Sequence, residues 1–280
     1  MQWQGQTVPT HWGYLLPKQV IDTRASAASR PDCSQCPMDQ VGDPRQYARC
    51  CTFYPEVSQV YIYDAYLADP SKDVWQELVD RRLLLPEGLL PSPYRLKRIG
   101  SGPCDFFRKI DGACGIYLQR SPICSTWFCS SSSKLQEDFW QALRHYLGHC
   151  EMVIRQWVLE GVGFDVVAYF KLFEEAAARV GRISDPSTEG WHRLFYEQCW
   201  QDWLGREWEL FAKCHEYLAD HMADVEETLK ARKLLTPRSF SQAVKEHLGP
   251  YDRDMESIQY GSWFDLKTNL IVAQKRLESS

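Results

Sequence analysis

The sequence has no apolar run of about 18 residues, the length a membrane-crossing helix requires, and so predicts no membrane partner. Its start (Met1, Gln2, Trp3, Gln4, Gly5, Gln6) lacks the basic-then-apolar layout of a secretion signal. A cytoplasmic location is the resulting expectation. Positive charge is not in excess: 32 Lys and Arg face 37 Asp and Glu, which argues against a general nucleic-acid surface. No Gly-rich strand–turn–helix motif stands out, and no internal repeat is present.

Cysteine is abundant instead. Eleven occur among 280 residues. In a reducing compartment dense cysteine points to metal binding rather than disulfides, and an odd count fits a complete disulfide framework poorly. Apolar residues reach 44%, enough for a globular core, and eleven Trp predict bulky aromatic packing between helices.

Eight cysteines fall into two groups. In the first, Cys33 and Cys36 form a C-x2-C knuckle, whose two thiolates can reach one metal from a tight turn. After thirteen intervening residues come the adjacent Cys50 and Cys51, which are expected to point to different places. In the second, Cys104, Cys114, Cys124 and Cys129 are separated by nine, nine and four residues. That stretch has few large aliphatic residues and reads as loop-rich structure that a metal would hold together. Asp111-Gly112 reads as a tight turn and Cys114–Tyr117 as a short strand. All-sulfur ligation suits zinc or an iron–sulfur cluster and excludes calcium or magnesium. The long gaps of the second group suit a 4Fe-4S cubane, and the single C-x2-C knuckle is fewer than four-thiolate structural zinc usually shows. Eight thiols could serve one site or two.

Around these groups, residues 1–32 read as an irregular arm packed by Trp3, Trp12 and Tyr14, and residues 53–69 as a helix. Asp69 and Pro70 read as the start of another helix, with Val74, Leu78 and Val79 on an apolar face up to about Leu85. Tyr94–Gly102 reads as a short strand. Beyond residue 130 the pattern is helical. Ser133 to Gln136 is a capping box, and Phe139, Leu143, Tyr146, Cys150, Val153 and Trp157 mark one face of a long helix. Further helices are predicted over 165–180, 188–203, 206–232 and 262–276, with a short one after Ser239. Phe211, Leu218, Met222, Val225 and Leu229 are the buried seam of the 206–232 segment. The fold class is therefore mainly α: a small, loop-rich, metal-stapled cysteine domain (33–130) packed on a C-terminal helical bundle (131–280). Residues 1–130 hold 14 basic and 13 acidic side chains, the remainder 18 and 24. Arg95, Lys97, Arg98, Arg108, Lys109 and Arg120 flank the second group, where positive charge would favour thiolates.

Other patterns carry less. His145 and His149 are four apart on one helix face, a spacing that binds metal when an acidic partner completes it; none does, and a polar edge is the simpler reading. Glu189 and His192 have the Glu-x-x-His spacing of di-iron bundles once only, beside a helix-breaking Gly. Cys150, Cys199 and Cys214 read as small core residues, and Trp200, Trp203 and Trp208 as core.

The two cysteine groups together resemble the YkgJ-type cysteine-cluster family, the zinc- or iron-chelating CxxCxxCC proteins. The resemblance lies over residues 33–130 and is carried mainly by Cys104, Phe106, Asp111, Gly112, Cys114, Ile116, Tyr117, Arg120, Pro122, Cys124 and Cys129. The thirteen residues between Cys36 and Cys50 depart from the family's short form. The resemblance implies a metal-binding protein of unassigned biological role. A distantly similar group, the flagellin lysine-N-methylases, is associated with an iron–sulfur cluster and methyl transfer from S-adenosylmethionine. Three readings follow: a cluster- or metal-dependent enzyme or redox protein, a zinc-stabilised module whose helical half binds a protein partner, and a methyltransferase-like enzyme.

Overall fold

A computed structural model of the chain describes residues 2–3, 6–7, 12–21, 56–69, 71–92, 104–108, 114–126, 134–177, 183–232 and 263–279. The readings at Cys33, Cys36, Cys50, Cys51, Cys129, Asp111-Gly112, 94–102, Ser133 and the helix after Ser239 lie outside these residues. The described chain is mainly helical.

Two short strands, β1 (Gln2–Trp3) and β2 (Gln6–Thr7), pair antiparallel at the start. Within the segment that reads as an irregular arm stand two single-turn helices, α1 (Trp12–Leu15) and α2 (Lys18–Ile21). Trp12, Leu15, Leu16 and Val20 are buried in the main core.

β3 (Val57–Ser58) leads into α3 (Gln59–Ala68), which ends at Asp69. Asp69 does not start the next helix. Its carboxylate accepts from the Ser71 backbone N–H and hydroxyl, which turns the chain, and Lys72 in a left-handed conformation precedes α4 (Asp73–Asp80). The apolar run Leu83–Leu85 does not prolong α4 either. β4 (Leu84–Leu85) pairs with β5 (Gly88–Leu89), and β5 with β3, as a three-stranded antiparallel sheet of order β3-β5-β4. Arg82, at φ +56°, stops the helix, with the Leu83 N–H donating to the Leu78 carbonyl at 2.9 Å, and Gly88 permits the sheet. Gly88 has φ +125°, and a Cβ there would fall 2.0 Å from the Val57 carbonyl oxygen.

α5 (Pro122–Ser125) is a single turn with proline in its first turn. The long helix α6 (Lys134–Gly161) is the spine. Its 28 residues span about 42 Å. Phe139, Leu143, Tyr146, Cys150, Val153 and Trp157, the face read from the sequence, are all buried. α7 (Val166–Ala177) follows. Residues 188–191 are then not helical: β6 (Ser184–Asp185) and β7 (Gly190–Trp191) form a hairpin, and only Arg193–Trp200 is α8. The 206–232 segment is broken at His221 into α9 (Glu207–Asp220), one 3-10 turn and α10 (Val225–Ala231). α11 (Trp263–Glu278) closes the described chain. It packs along α6, and α9 packs on α3. The buried core is continuous from Trp12 to Leu270 and includes Phe106 and Ile116 of the cysteine segment. No described helix is long and apolar enough to cross a membrane.

Candidate metal centre

The described part of the second cysteine group is built from successive tight turns. The Phe107 N–H donates to the Cys104 carbonyl at 2.9 Å, closing a turn, and the Gly115 N–H donates to the Phe106 carbonyl at 2.7 Å. Phe107 and Cys114 make one antiparallel bridge, which brings the Cys114 backbone beside the Cys104 turn. The expected strand Cys114–Tyr117 is limited to that bridge, and Tyr117–Gln119 coils into a 3-10 turn. Arg120 folds back over the Tyr117 ring, 3.6 Å from its centre, with Nε donating to the Tyr117 carbonyl at 2.8 Å. α5 then carries Cys124. Arg144 of α6 anchors this turn, its Nε donating to Thr126 Oγ1 at 3.1 Å and its Nη2 to the Thr126 carbonyl at 3.3 Å.

Cys104 is held well above the ordinary thiol range. Burial is the main cause, the Phe106 backbone N–H donating to its sulfur opposes it, and the charges of Cys124, Asp105 and Cys114 add to it. Cys104 thus resists ionisation until a cation is bound, and thiol donors suit zinc or iron. Among the described residues no three His, Cys, Asp or Glu side chains stand together at metal-ligand spacing. None of the six described cysteines is disulfide-bonded to another.

Of the other described candidates, the three cysteines and Trp200 are core as the sequence suggests, whereas His149 is buried rather than part of an exposed polar edge. Cys150, Cys199 and Cys214 are fully buried in the apolar core. Trp200 is fully buried, whereas Trp203 and Trp208 pack on the core from its margin. His145 and His149 lie on α6, and burial lowers both below the ordinary imidazole range. Glu189 is no ligand partner of His192: it sits in the β6–β7 turn with φ +59° and pairs with Arg81.

Two features have no counterpart in the sequence reading. The first is a cleft along α3. A cavity of about 320 Å³, open to solvent, is lined by Trp75, Asp105, Phe106, Arg108 and Ile116, with Gln119 at one end. The buried Trp75 indole N–H finds no hydrogen-bond acceptor among the described residues. Gln119 also lines a second cavity of about 240 Å³ with Tyr14, Tyr61, Asp64 and His215. There His215 Nε2 lies 3.2 Å from Asp64 Oδ1, and that hydrogen bond raises the imidazole above its ordinary value.

The second feature is a buried ionic cluster behind that cavity. Arg155 Nη2 lies 3.1 Å from Glu151 Oε1, and Nη1 lies 3.4 Å from Glu56 Oε2. Glu151 also accepts from the Ser58 N–H at 3.2 Å. Glu87 joins the cluster through the charges of Arg155 and Glu56. Burial pushes its carboxyl up to about 7, with the Glu56 charge adding and Arg155 and the Tyr169 hydroxyl opposing. The folded chain therefore holds a proton at Glu87 that the unfolded chain, at 4.5, has released. Stability from this group is full below pH 4.5, falls as pH rises, and is lost above pH 7. The loss is at most about 3 kcal/mol, because part of the Glu87 residue reaches solvent. Urea midpoints at pH 5 and pH 7.5 should fall further in the wild type than in Glu87→Gln.

Neither feature rests on sequence-local spacing. Apart from the i,i+4 pair Arg155 and Glu151, their partners come from separate elements, as with Ser58 and Glu151, 93 residues apart, so only the folded chain displays them. Comparison of the chain with protein-family models, with curated proteins and with solved structures finds no match.

Proposed function

We propose that the chain holds a thiolate-bound metal centre, an iron–sulfur cluster or zinc, and that this centre serves chemistry or electron transfer at the adjoining cleft. The observation that carries the reading is the Phe107–Cys114 bridge, which sets the Cys114 backbone beside the Cys104 turn, next to a solvent-open cavity of about 320 Å³ that the same turn lines. A purely structural staple needs no such opening. Asp105, Phe106 and Arg108, which line the cavity, belong to the Cys104 turn or follow it directly. A ligand in the cavity would therefore lie within a few residues of the centre. Cys33, Cys36, Cys50, Cys51 and Cys129 are the proposed remaining thiolates. When bound, an iron–sulfur centre would supply electron-transfer capacity, and zinc would supply Lewis acidity.

Metal analysis tests this. Protein purified without oxygen is expected to carry iron and sulfide in stoichiometric amounts, with a broad visible absorption that dithionite bleaches. Stoichiometric zinc without sulfide would replace the cluster by zinc. Protein that retains no metal and takes up neither zinc(II) nor ferrous iron with sulfide would remove both readings.

A further inference from the structure

Arg81, at the end of α4, touches both the cysteine turn and the helical half. Its Nη1 lies 3.1 Å from Glu77 Oε1 and 3.3 Å from Asp105 Oδ1. Its Nη2 lies 3.0 Å from Glu189 Oε2, and its Nε donates to the Thr188 carbonyl at 3.2 Å. Arginine suits this position because its planar fork directs several donors at once in fixed directions.

Asp105 occupies the second position of the Cys104–Phe107 turn. The same turn aims the Phe106 N–H at the Cys104 sulfur. Donors to a metal-bound thiolate tune and orient it, so whatever fixes this turn acts on the centre without touching it. On the opposite side, the β6–β7 hairpin is seated tightly on the end of α4. A Cβ on Gly190 would fall 1.8 Å from the Arg81 carbonyl oxygen. The Trp191 N–H donates to the Arg82 carbonyl at 3.1 Å. Arg82 in turn pairs with Asp185 and donates to the Trp191 carbonyl. Glu189 is kept in its left-handed conformation by Arg81 on its side chain and by Ser92, whose hydroxyl donates to its carbonyl at 2.7 Å. The hairpin therefore has little room to shift without moving Arg81.

We infer that Arg81 is a positioning residue for the metal centre and couples it to the 184–191 hairpin. Metal occupancy at Cys104 and order in the hairpin then depend on each other, since coupling between two sites is reciprocal. The inference rests on the metal reading of Cys104, and its test separates the two.

The full chain, with its native metal or reconstituted with zinc(II) or with ferrous iron and sulfide, is compared with Arg81→Met, Arg81→Lys and Glu189→Gln. Metal transfer to a chromophoric chelator is expected to be about tenfold faster in Arg81→Met. Arg81→Lys should fall between wild type and Arg81→Met, because one point charge restores part of the link. Glu189→Gln should also accelerate release, although it lies in the hairpin. Stripping metal from the wild type should raise amide hydrogen exchange over 184–191, and Arg81→Met should lose that response. Equal release rates, or a wild-type hairpin indifferent to metal, would overturn the inference. If the chain takes up none of these metals, the metal reading fails separately. The coupling is then read from the rate at which iodoacetamide alkylates Cys104. A change of that rate in Glu189→Gln supports it, and an equal rate overturns it.

Discussion

Replacing Arg155 with methionine is expected to destabilise the protein by about 3–5 kcal/mol, read as a lower urea midpoint at neutral pH. Arg155 and Glu151 are 5% and 3% exposed, so water screens neither. Burial opposes the charge on Arg155, but Glu151, Glu56 and Glu87 overcome it and hold the guanidinium protonated. Removing it leaves Glu151 without its cation. Burial already raises Glu151 above the ordinary carboxylate range, and Arg155, with a smaller part from the Ser58 N–H, opposes the rise. In the variant Glu151 and Glu87 should take up protons, so the destabilisation should be smaller at pH 5 than at pH 8. The sign follows from linkage: a carboxyl raised by folding loses its contribution as pH rises. Adding Glu151→Gln to Arg155→Met should recover most of the loss, because the amide still accepts from Ser58 and carries no charge. A double variant no more stable than Arg155→Met would show that packing of the Arg155 stem, rather than the stranded carboxylate, sets the cost.

How much of this was legible beforehand varies with the range of the interaction that decides each part. The α6 face from Phe139 to Trp157 was readable because 28 residues repeat one period and the burial follows it. The hairpins were not. Leu83–Leu85 continues an apolar pattern, and it is the pairing of Leu84 with Leu89 that makes it a strand. Glu189, Gly190 and Trp191 read as the start of a helix, yet Arg81 and Arg82 hold them in a hairpin from about 100 residues away. The break at His221 was equally hidden, since Leu218, Val225 and Leu229 stay buried across it. At the candidate site, cysteine spacing identified Cys104, Cys114 and Cys124. The cleft beside them depends on α3 meeting the turn at Gln119, which no local pattern encodes.

Serine substitutions divide the cysteines into two classes with opposite signatures. Cys104→Ser, Cys114→Ser and Cys124→Ser should each abolish stoichiometric metal while retaining most of the helical circular dichroism. The sequence alone suggests that Cys114→Ser or Cys124→Ser unfolds the N-terminal half. The continuous core argues for a smaller effect, because Trp12, Val57, Ile62 and Trp75 are packed into the same apolar mass as α6 and α9. Only Phe106 and Ile116 among its buried hydrophobic residues come from the described cysteine segment. Disorder after metal loss should therefore be concentrated at residues 104–126, read as faster amide exchange there with protection kept in α6. Cys150→Ser, Cys199→Ser and Cys214→Ser should do the reverse. Each places a hydroxyl where the thiol is wholly buried, at a cost of about 1–3 kcal/mol, and leaves the metal content unchanged. A metal lost from Cys199→Ser but kept in Cys124→Ser would move the centre out of the turns and into the helical half. Loss in Cys124→Ser alone, with Cys104→Ser and Cys114→Ser fully loaded, would limit ligation within 104–126 to α5.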